Sequence, residues 1–288
     1  MSIWEALPIL QNGIIASLIA ALVCSFLGVY VILKRIVFMT AAISQISSLG
    51  IATALLLQVL LWGEIAMNDH SESQTLATLF PIIIAILFAC SAALLMASQP
   101  TEKKLTRESI LGIAYIIPAA LALLILDSIG GAMHDINNLL FGNTVFVPPA
   151  QVTLLAIIAA IVLFVHGLFY KEFVFVAFDP ETSMACGMRT LLLNQLLFGS
   201  LALMISVSIS SIGVMPVFAF MVIPPAAALL LTSTLKHAFI LSTIFGGISA
   251  LVGFYLSFQF SLPTGPSMIA VASLLFVPGL IKKMLGRA

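Results

Sequence analysis

Long apolar stretches separated by short polar breaks repeat along the whole chain. An α-helix needs about 20 apolar residues to cross the roughly 30 Å hydrocarbon core of a bilayer. The pattern therefore predicts an all-α, polytopic transmembrane bundle of eight to nine spans. We favour nine, at residues 13–33, 41–62, 76–97, 109–127, 150–170, 190–212, 216–235, 238–260 and 264–281.

The division between the sixth and seventh predicted spans depends on one break in an otherwise continuous apolar run. The residues 210–213, Ser-Ser-Ile-Gly, and Pro216 supply that break, because serine, glycine and proline interrupt regular structure. Every other break is also short. We therefore expect a single domain, residues 1–288, without a linker.

The composition supports residence in a membrane. Of the 288 residues 62% are hydrophobic and 8% are charged, whereas charged residues make up about a quarter of an ordinary soluble domain. A soluble chain of this kind would lack the polar surface to cover its core. Cys24, Cys90 and Cys186 are scattered along the chain, a spacing that favours small apolar packing residues over a disulfide or a metal site.

The basic residues are confined to one side of the predicted topology. With nine spans, all 11 Lys and Arg residues fall on the same side, which the positive-inside rule identifies as cytoplasmic. The N-terminus is then outside and the C-terminus is cytoplasmic. The basic residues are Lys34, Arg35, Lys103, Lys104, Arg107, Lys171, Arg189, Lys236, Lys282, Lys283 and Arg287.

Polar residues and prolines inside two predicted helices indicate a translocation path. Ser44, Gln45 and Ser48 cluster in the second span, and a buried amide such as that of Gln45 needs several hydrogen-bond partners. Pro224 and Pro225 lie in the middle of the seventh span, where they remove backbone donors and are expected to bend or interrupt the helix. Serines that only hydrogen-bond neighbouring helices, and a static kink, are the alternatives.

Five residues are candidates for binding a metal ion in transit. Asp69, His70, His134 and Asp135 lie in predicted outer loops, and His166 lies inside the fifth span. Carboxylate and imidazole groups bind transition metals, and an ionisable group within a membrane span is a functional candidate. A solvated polar loop is the favoured explanation of the first four, and His166 is close enough to the membrane surface to extend to it.

The longest predicted cytoplasmic segment, residues 171–189, reads KEFVFVAFDPETSMACGMR. It is polar and prone to form a helix after Pro180, with Asp179 placed to cap the N-terminus of that helix. HExxH, GxSxG and Walker A motifs are all missing from the sequence. The sequence therefore carries none of the motifs that mark zinc metalloproteases, serine hydrolases or P-loop ATPases.

This segment resembles the permease subunits of bacterial ABC importers for zinc, manganese and iron. The phrase FDPETSMACGM, residues 178–188, is similar to the helix that couples those permeases to their ATPases. The resemblance extends to the second-span region 31–52, to LFGN at 140–143, to VFAFMVIPPAAALL at 217–230 and to LPTGPSMI at 262–269. These motifs occur in order over nearly the whole chain.

The resemblance implies a non-enzymatic transport subunit in a bacterial inner membrane. Two copies would form a homodimer around the path for a divalent metal ion, with two separate ABC ATPases binding ATP on the cytoplasmic side. An extracytoplasmic metal-binding protein would deliver the metal; no covalently bound cofactor and no nucleic-acid partner are expected. The residues that the resemblance assigns to the coupling helix are Phe178, Asp179, Pro180, Glu181, Thr182, Ala185 and Gly187.

The sequence departs from the family pattern in the second span. Members commonly carry an acidic residue there and a histidine four positions later, whereas this chain has Ala41 and Gln45. Neutral oxygen donors hold a divalent cation less tightly than a carboxylate with an imidazole. Either the metal passes with little coordination, or residues such as Met39, Ser44 and Ser48 contribute, or the cargo is a chelated metal.

Three other functions are compatible with the hydropathy. A related ABC permease for a siderophore or corrinoid is the nearest alternative, although ten spans and an internal N-terminus would then be expected. An ion-coupled secondary transporter would usually carry acidic or basic residues near the centre of its spans, and none of the predicted spans does. A purely structural membrane protein would need neither the coupling-like segment nor the proline-containing helix.

Overall fold

The computed structural model describes residues 3–62, 73–98, 106–129 and 147–285. Within these residues the chain is helical, and eleven helices are defined. They are α1 (Ile3–Leu33), α2 (Val37–Trp62), α3 (Ser73–Ser98), α4 (Arg107–Ser128), α5 (Pro149–Leu168), α6 (Tyr170–Phe178), α7 (Pro180–Ala185), α8 (Thr190–Ile212), α9 (Val214–Leu231), α10 (Leu235–Phe260) and α11 (Thr264–Leu285).

Nine of the helices in the described ranges are long and apolar enough to cross a bilayer. They are all of the set except α6 and α7, so the predicted fold class and the count of nine spans are confirmed. The predicted division between the sixth and seventh spans is also confirmed, because α8 ends at Ile212 and Gly213 adopts a positive φ of 84° before α9 begins. A positive φ is strained for residues with a side chain and is readily adopted by glycine.

The structure differs from the sequence prediction at the end of one span and in the course of another. The fifth span was predicted to continue to residue 170, but α5 ends at Leu168 and a new helix, α6, starts at Tyr170. Pro224 and Pro225 were expected to bend or interrupt their helix; they do not interrupt it, because α9 is continuous from Val214 to Leu231. Neighbouring helices can compensate for a proline in a membrane helix.

The helices form a bundle with α1 and α8 near its centre. In the most apolar 18-residue window of each span, 67% of the residues of α1 and of α8 are buried, but only 17% of those of α4. Helix α1 packs against α5, α8, α9 and α10, and α2 packs against α3, α4 and α8. The exposed surface of α4 is apolar, with Ile116 and Leu124 among its most exposed side chains, as expected for a surface that faces lipid.

Small residues allow the central helices to approach closely. A side chain built at Gly246 of α10 would collide with the Ser25 side chain and the Ala21 carbonyl group of α1. The neighbouring Ser242 hydroxyl donates a hydrogen bond to the Ser25 carbonyl oxygen at 2.6 Å. Because lipid provides no hydrophobic driving force between helices, such close contacts and interhelical hydrogen bonds stabilise the bundle.

Candidate coupling segment and translocation path

Helix α7 is short but has a specific signal at each end. The Asp179 carboxylate accepts hydrogen bonds from the Thr182 backbone N–H at 3.0 Å and from the Thr182 hydroxyl at 2.6 Å. Pro180 is the first helical residue, a position where its missing N–H costs nothing. The N-cap predicted for Asp179 is therefore confirmed.

Gly187 ends the same helix. It has a positive φ of 76°, its N–H donates to the Met184 carbonyl oxygen, and the Met188 N–H donates to the Ser183 carbonyl oxygen. This pair of hydrogen bonds around a left-handed glycine is a Schellman motif. The phrase DPETSMACGM thus encodes one turn-and-a-half of helix with defined limits.

The same hydrogen bonds favour the ionised form of the Asp179 carboxyl group. Thr182, through its hydroxyl and then its backbone N–H, lowers the pKa of the Asp179 carboxyl group below its ordinary value. A carboxyl group with a lowered pKa stabilises the folded state at pH values above its ordinary pKa, and the contribution disappears as the pH falls through the lowered value. The cap is consequently complete at neutral pH.

The surface of α7 is exposed and mixes apolar and acidic groups. Phe178, just before the helix, is 71% exposed, and Met184 is 57% exposed. Glu181, together with Thr182, Ala185, Cys186 and Gly187, is also exposed, whereas Ser183 is fully buried against the bundle. Exposed large apolar side chains beside charges are characteristic of a protein-binding surface.

The predicted path residues of α2 lie in the interior of the bundle. Ser44, Gln45 and Ser48 are at most 8% exposed. The Ser44 hydroxyl donates to the Thr40 carbonyl oxygen at 2.8 Å, so this serine is bound within its own helix.

Pro225 of α9 lies against a glycine of α1 that sequence reasoning missed. Because Pro225 has no N–H, it cannot bond the carbonyl group four residues earlier, that of Met221. Gly28 lies directly on this carbonyl group and on the Pro225 ring, and a side chain at Gly28 would overlap both. The available signal was the carbonyl group that a proline frees four positions upstream, although its partner helix could not be identified from sequence.

His166 does not extend to the membrane surface. It is fully buried, and its Nε2 atom is 2.8 Å from the Ser200 hydroxyl of α8. Its ring lies among aromatic rings, with centroid distances of 5.1 Å to Tyr30 and 4.6 Å to Phe173. The geometry indicates a packing role at the junction of α1, α5, α6 and α8.

No preformed metal centre is found in the described residues, where no group of three His, Cys, Asp or Glu side chains could hold an ion. Asp69, His70, His134 and Asp135 lie outside the described residues, as does the LFGN motif at 140–143. Their assignment as metal ligands therefore stays a prediction. Among the described residues, His166 therefore belongs to no such group.

Residues 6–283 match the family described as the ABC 3 transport family, and the chain belongs to that family. This match confirms the resemblance drawn from the sequence motifs. It also confirms the expectation of a multi-pass bacterial membrane protein.

Among similar proteins, the manganese transport system membrane protein MntC of Listeria monocytogenes is 30% identical over 267 residues, which cover 93% of this chain and 88% of the relative. The chelated iron transport system membrane protein YfeD of Yersinia pestis is 25% identical over 277 residues, covering 96% and 86%. The chain thus spans most of the length of each relative.

The fold also matches a solved structure, that of PsaBC from Streptococcus pneumoniae in complex with Fab. The TM-score is 0.79, with 23% sequence identity, and the match covers 96% of this chain and 95% of the solved one. The helices of this chain are therefore arranged as in that solved structure over nearly the whole length of both chains.

Proposed function

We propose that this chain is the membrane-spanning permease subunit of an ATP-driven importer for a divalent transition metal ion. Two copies would enclose the path, two separate ABC ATPases would bind below, and an extracytoplasmic protein would deliver the metal. The observation that carries the proposal is the exposed, capped helix α7 in a chain of the ABC 3 transport family.

The surface around α7 supports the docking of an ATPase. Phe178 and Met184 supply exposed apolar area, and the neighbouring Asp179 and Glu181 add two carboxylates. A central apolar contact with charged groups around it suits a specific protein interface. Defined caps at both ends keep the helix in one conformation, so little conformational entropy would be lost on binding.

The cargo proposed first is manganese, with iron and zinc as the other candidates. The support is that relatives such as the Listeria protein are named for manganese transport. Gln45, which is 8% exposed in the interior of the bundle, is the group proposed to contact the passing ion, beside Ser44 and Ser48. Neutral oxygen ligands suit manganese better than they suit softer metals, and weak binding allows release.

A chelated metal is the second candidate. Two observations favour it: the neutral pair Ala41 and Gln45 offers few ligands to a bare ion, and the Yersinia relative is named for chelated iron. Uptake of radioactive manganese, iron and zinc by the reconstituted complex, each with and without a chelator, would distinguish the two. Transport that requires the chelator would replace the free-ion proposal.

The docking role of α7 can be tested by reversing its charge. We expect the double variant Asp179→Arg, Glu181→Arg to fold in the membrane but to lose co-purification with the ATPase and ATP-dependent metal uptake. Glu108→Arg, a charge reversal at an exposed position in the first turn of α4, is the control and should behave as wild type. Unchanged co-purification of the double variant would refute the assignment.

A further inference from the structure

The turn between α1 and α2 is locked by a second Schellman motif. Arg35 has a positive φ of 56°, its N–H donates to the Ile32 carbonyl oxygen at 3.0 Å, and the Ile36 N–H donates to the Val31 carbonyl oxygen at 3.0 Å. Ile36 and Val31 are both buried, which is the apolar contact that accompanies this motif. The backbone of Lys34 within this turn is therefore fixed.

The Lys34 side chain extends from this turn to the two helices that flank α7. Its ammonium group donates to the Val176 carbonyl oxygen of α6 at 3.1 Å and to the Asn194 Oδ1 atom of α8 at 2.8 Å. It also lies 6.0 Å from the centre of the Phe198 ring, one turn further along α8. A single cation thus joins the end of α1 to both attachments of the coupling helix.

The acceptor on α6 is open to Lys34 because of a residue in the coupling motif itself. The Val176 carbonyl oxygen would normally accept the N–H of the residue four positions later, but that residue is Pro180, which has no N–H. The last carbonyl groups of a helix also carry a partial negative charge, which favours a cation there. Pro180 therefore both starts α7 and leaves a site for Lys34.

The turn that carries Lys34 continues directly into the predicted path helix. Helix α2 starts at Val37, three residues after Lys34, and carries Gln45 two turns further on. If α6 and α8 move, the Lys34 side chain and the rigid turn between α1 and α2 would therefore displace α2 as well.

We propose that Lys34 is a positioning residue that transmits movement of the coupling helix α7 to the path helix α2. The proposal rests on the proposed function, because it requires an ATPase that moves α7. Its specific content is that loss of the ammonium group uncouples ATP hydrolysis from transport without preventing assembly.

The test uses the complete complex of permease, ATPase and binding protein in proteoliposomes, with ATP hydrolysis and manganese uptake measured together. Lys34→Met keeps the length of the side chain but removes its donors. We expect this variant to co-purify with the ATPase and hydrolyse ATP, while metal transported per ATP falls about tenfold, a typical size for coupling between sites. Lys34→Arg, which keeps a charged donor, should restore most of the ratio.

Lys282→Met is the matched control. Lys282 also donates to a carbonyl group at the end of a helix, that of Leu231 in α9, at 2.6 Å, and α9 is not one of the two helices that flank α7. We expect its transport-to-ATP ratio to equal that of wild type. An unchanged ratio in Lys34→Met, or an equal loss in both variants, would overturn the proposal.

Asn194→Ala provides a second variant if Lys34→Met fails to assemble. It removes the Asn194 Oδ1 acceptor and leaves the cation and its hydrogen bond to Val176 in place, so we expect a smaller loss of the ratio in the same direction. A wild-type ratio in Asn194→Ala together with misassembly of Lys34→Met would assign Lys34 to folding alone. Failure of the wild-type complex to couple uptake to ATP would instead contradict the proposed function itself.

Discussion

Ala41 and Gln45 are one helical turn apart on α2, and both are buried, with exposed fractions of 6% and 8%. Residues four apart occupy the same face of a helix. The two positions could therefore contact the same ion, although the side chains that stand there are neutral. Under the proposal that Gln45 lines the path, the chemistry of these two positions would set how tightly a passing metal ion is held.

The double variant Ala41→Asp, Gln45→His introduces the carboxylate and imidazole that the family resemblance leads one to expect. We predict that the apparent KM for manganese uptake falls by roughly tenfold, which corresponds to about 1.4 kcal/mol of added binding, because both groups are better metal ligands. The measurement is the concentration dependence of uptake in proteoliposomes. The isosteric Ala41→Asn, Gln45→Asn is the neutral control; an unchanged KM in the charged variant would show that these positions do not face the path.

At the scale of helices, the contact between Gly28 of α1 and the Met221–Pro225 segment of α9 holds two central helices together. We predict that Gly28→Ala destabilises the protein by about 1–3 kcal/mol, since overpacking a tight contact forces the backbones apart. Thermal unfolding in detergent measures this. Gly167→Ala of α5 is the control, because a side chain there meets no atom within 4 Å. Equal stability of both variants would mean that the α1–α9 contact readily opens.

The helical elements could be predicted from sequence because each helix that crosses a membrane needs a minimum length and a mostly apolar composition. The breaks were harder to place. Residues 170–178 continue the apolar run of α5 closely enough to hide the start of α6, although the charges of Lys171 and Glu172 mark it. The continuous course of α9 through Pro224 and Pro225 depends on its neighbours, and sequence does not specify these.

Contacts between distant residues account for the rest of what sequence could not show. His166 could be noted as an unusual residue, but its partner Ser200 lies on another helix, 34 positions away. The partners of Lys34 are 142 and 160 positions away. By contrast, the cap at Asp179 was predictable, because a capping residue and the N–H groups that it binds lie within one turn of each other.

At the scale of the whole molecule, three hydrogen bonds made by two lysines support a common side for the basic residues. Lys34, at the end of α1, reaches Val176 and Asn194 beside α7, and Lys282, near the end of α11, reaches Leu231 at the end of α9. Each pair joins chain segments that the nine-span topology predicts to lie on the same side. The positive-inside rule predicts that this side is cytoplasmic, and the proposed docking of ATPases requires it.

Cys186 offers a direct measurement of this orientation. It is exposed beside α7, whereas Cys24 is buried and Cys90 is half-buried. We predict that a membrane-impermeant maleimide modifies Cys186 in inside-out vesicles from cells that express this chain alone, but not in right-side-out vesicles. The reason is that the bilayer excludes the charged reagent from the cytoplasmic side of a sealed right-side-out vesicle.

The variant Cys186→Ser should abolish this labelling and so identify the modified thiol. Adding Ser128→Cys to that variant places a thiol at an exposed position at the far end of α4, which the nine-span topology puts outside. Its pattern should be reversed, with modification in right-side-out vesicles. If Cys186 were instead modified from the outside, α7 would lie on the wrong side of the membrane for any ATPase to reach it.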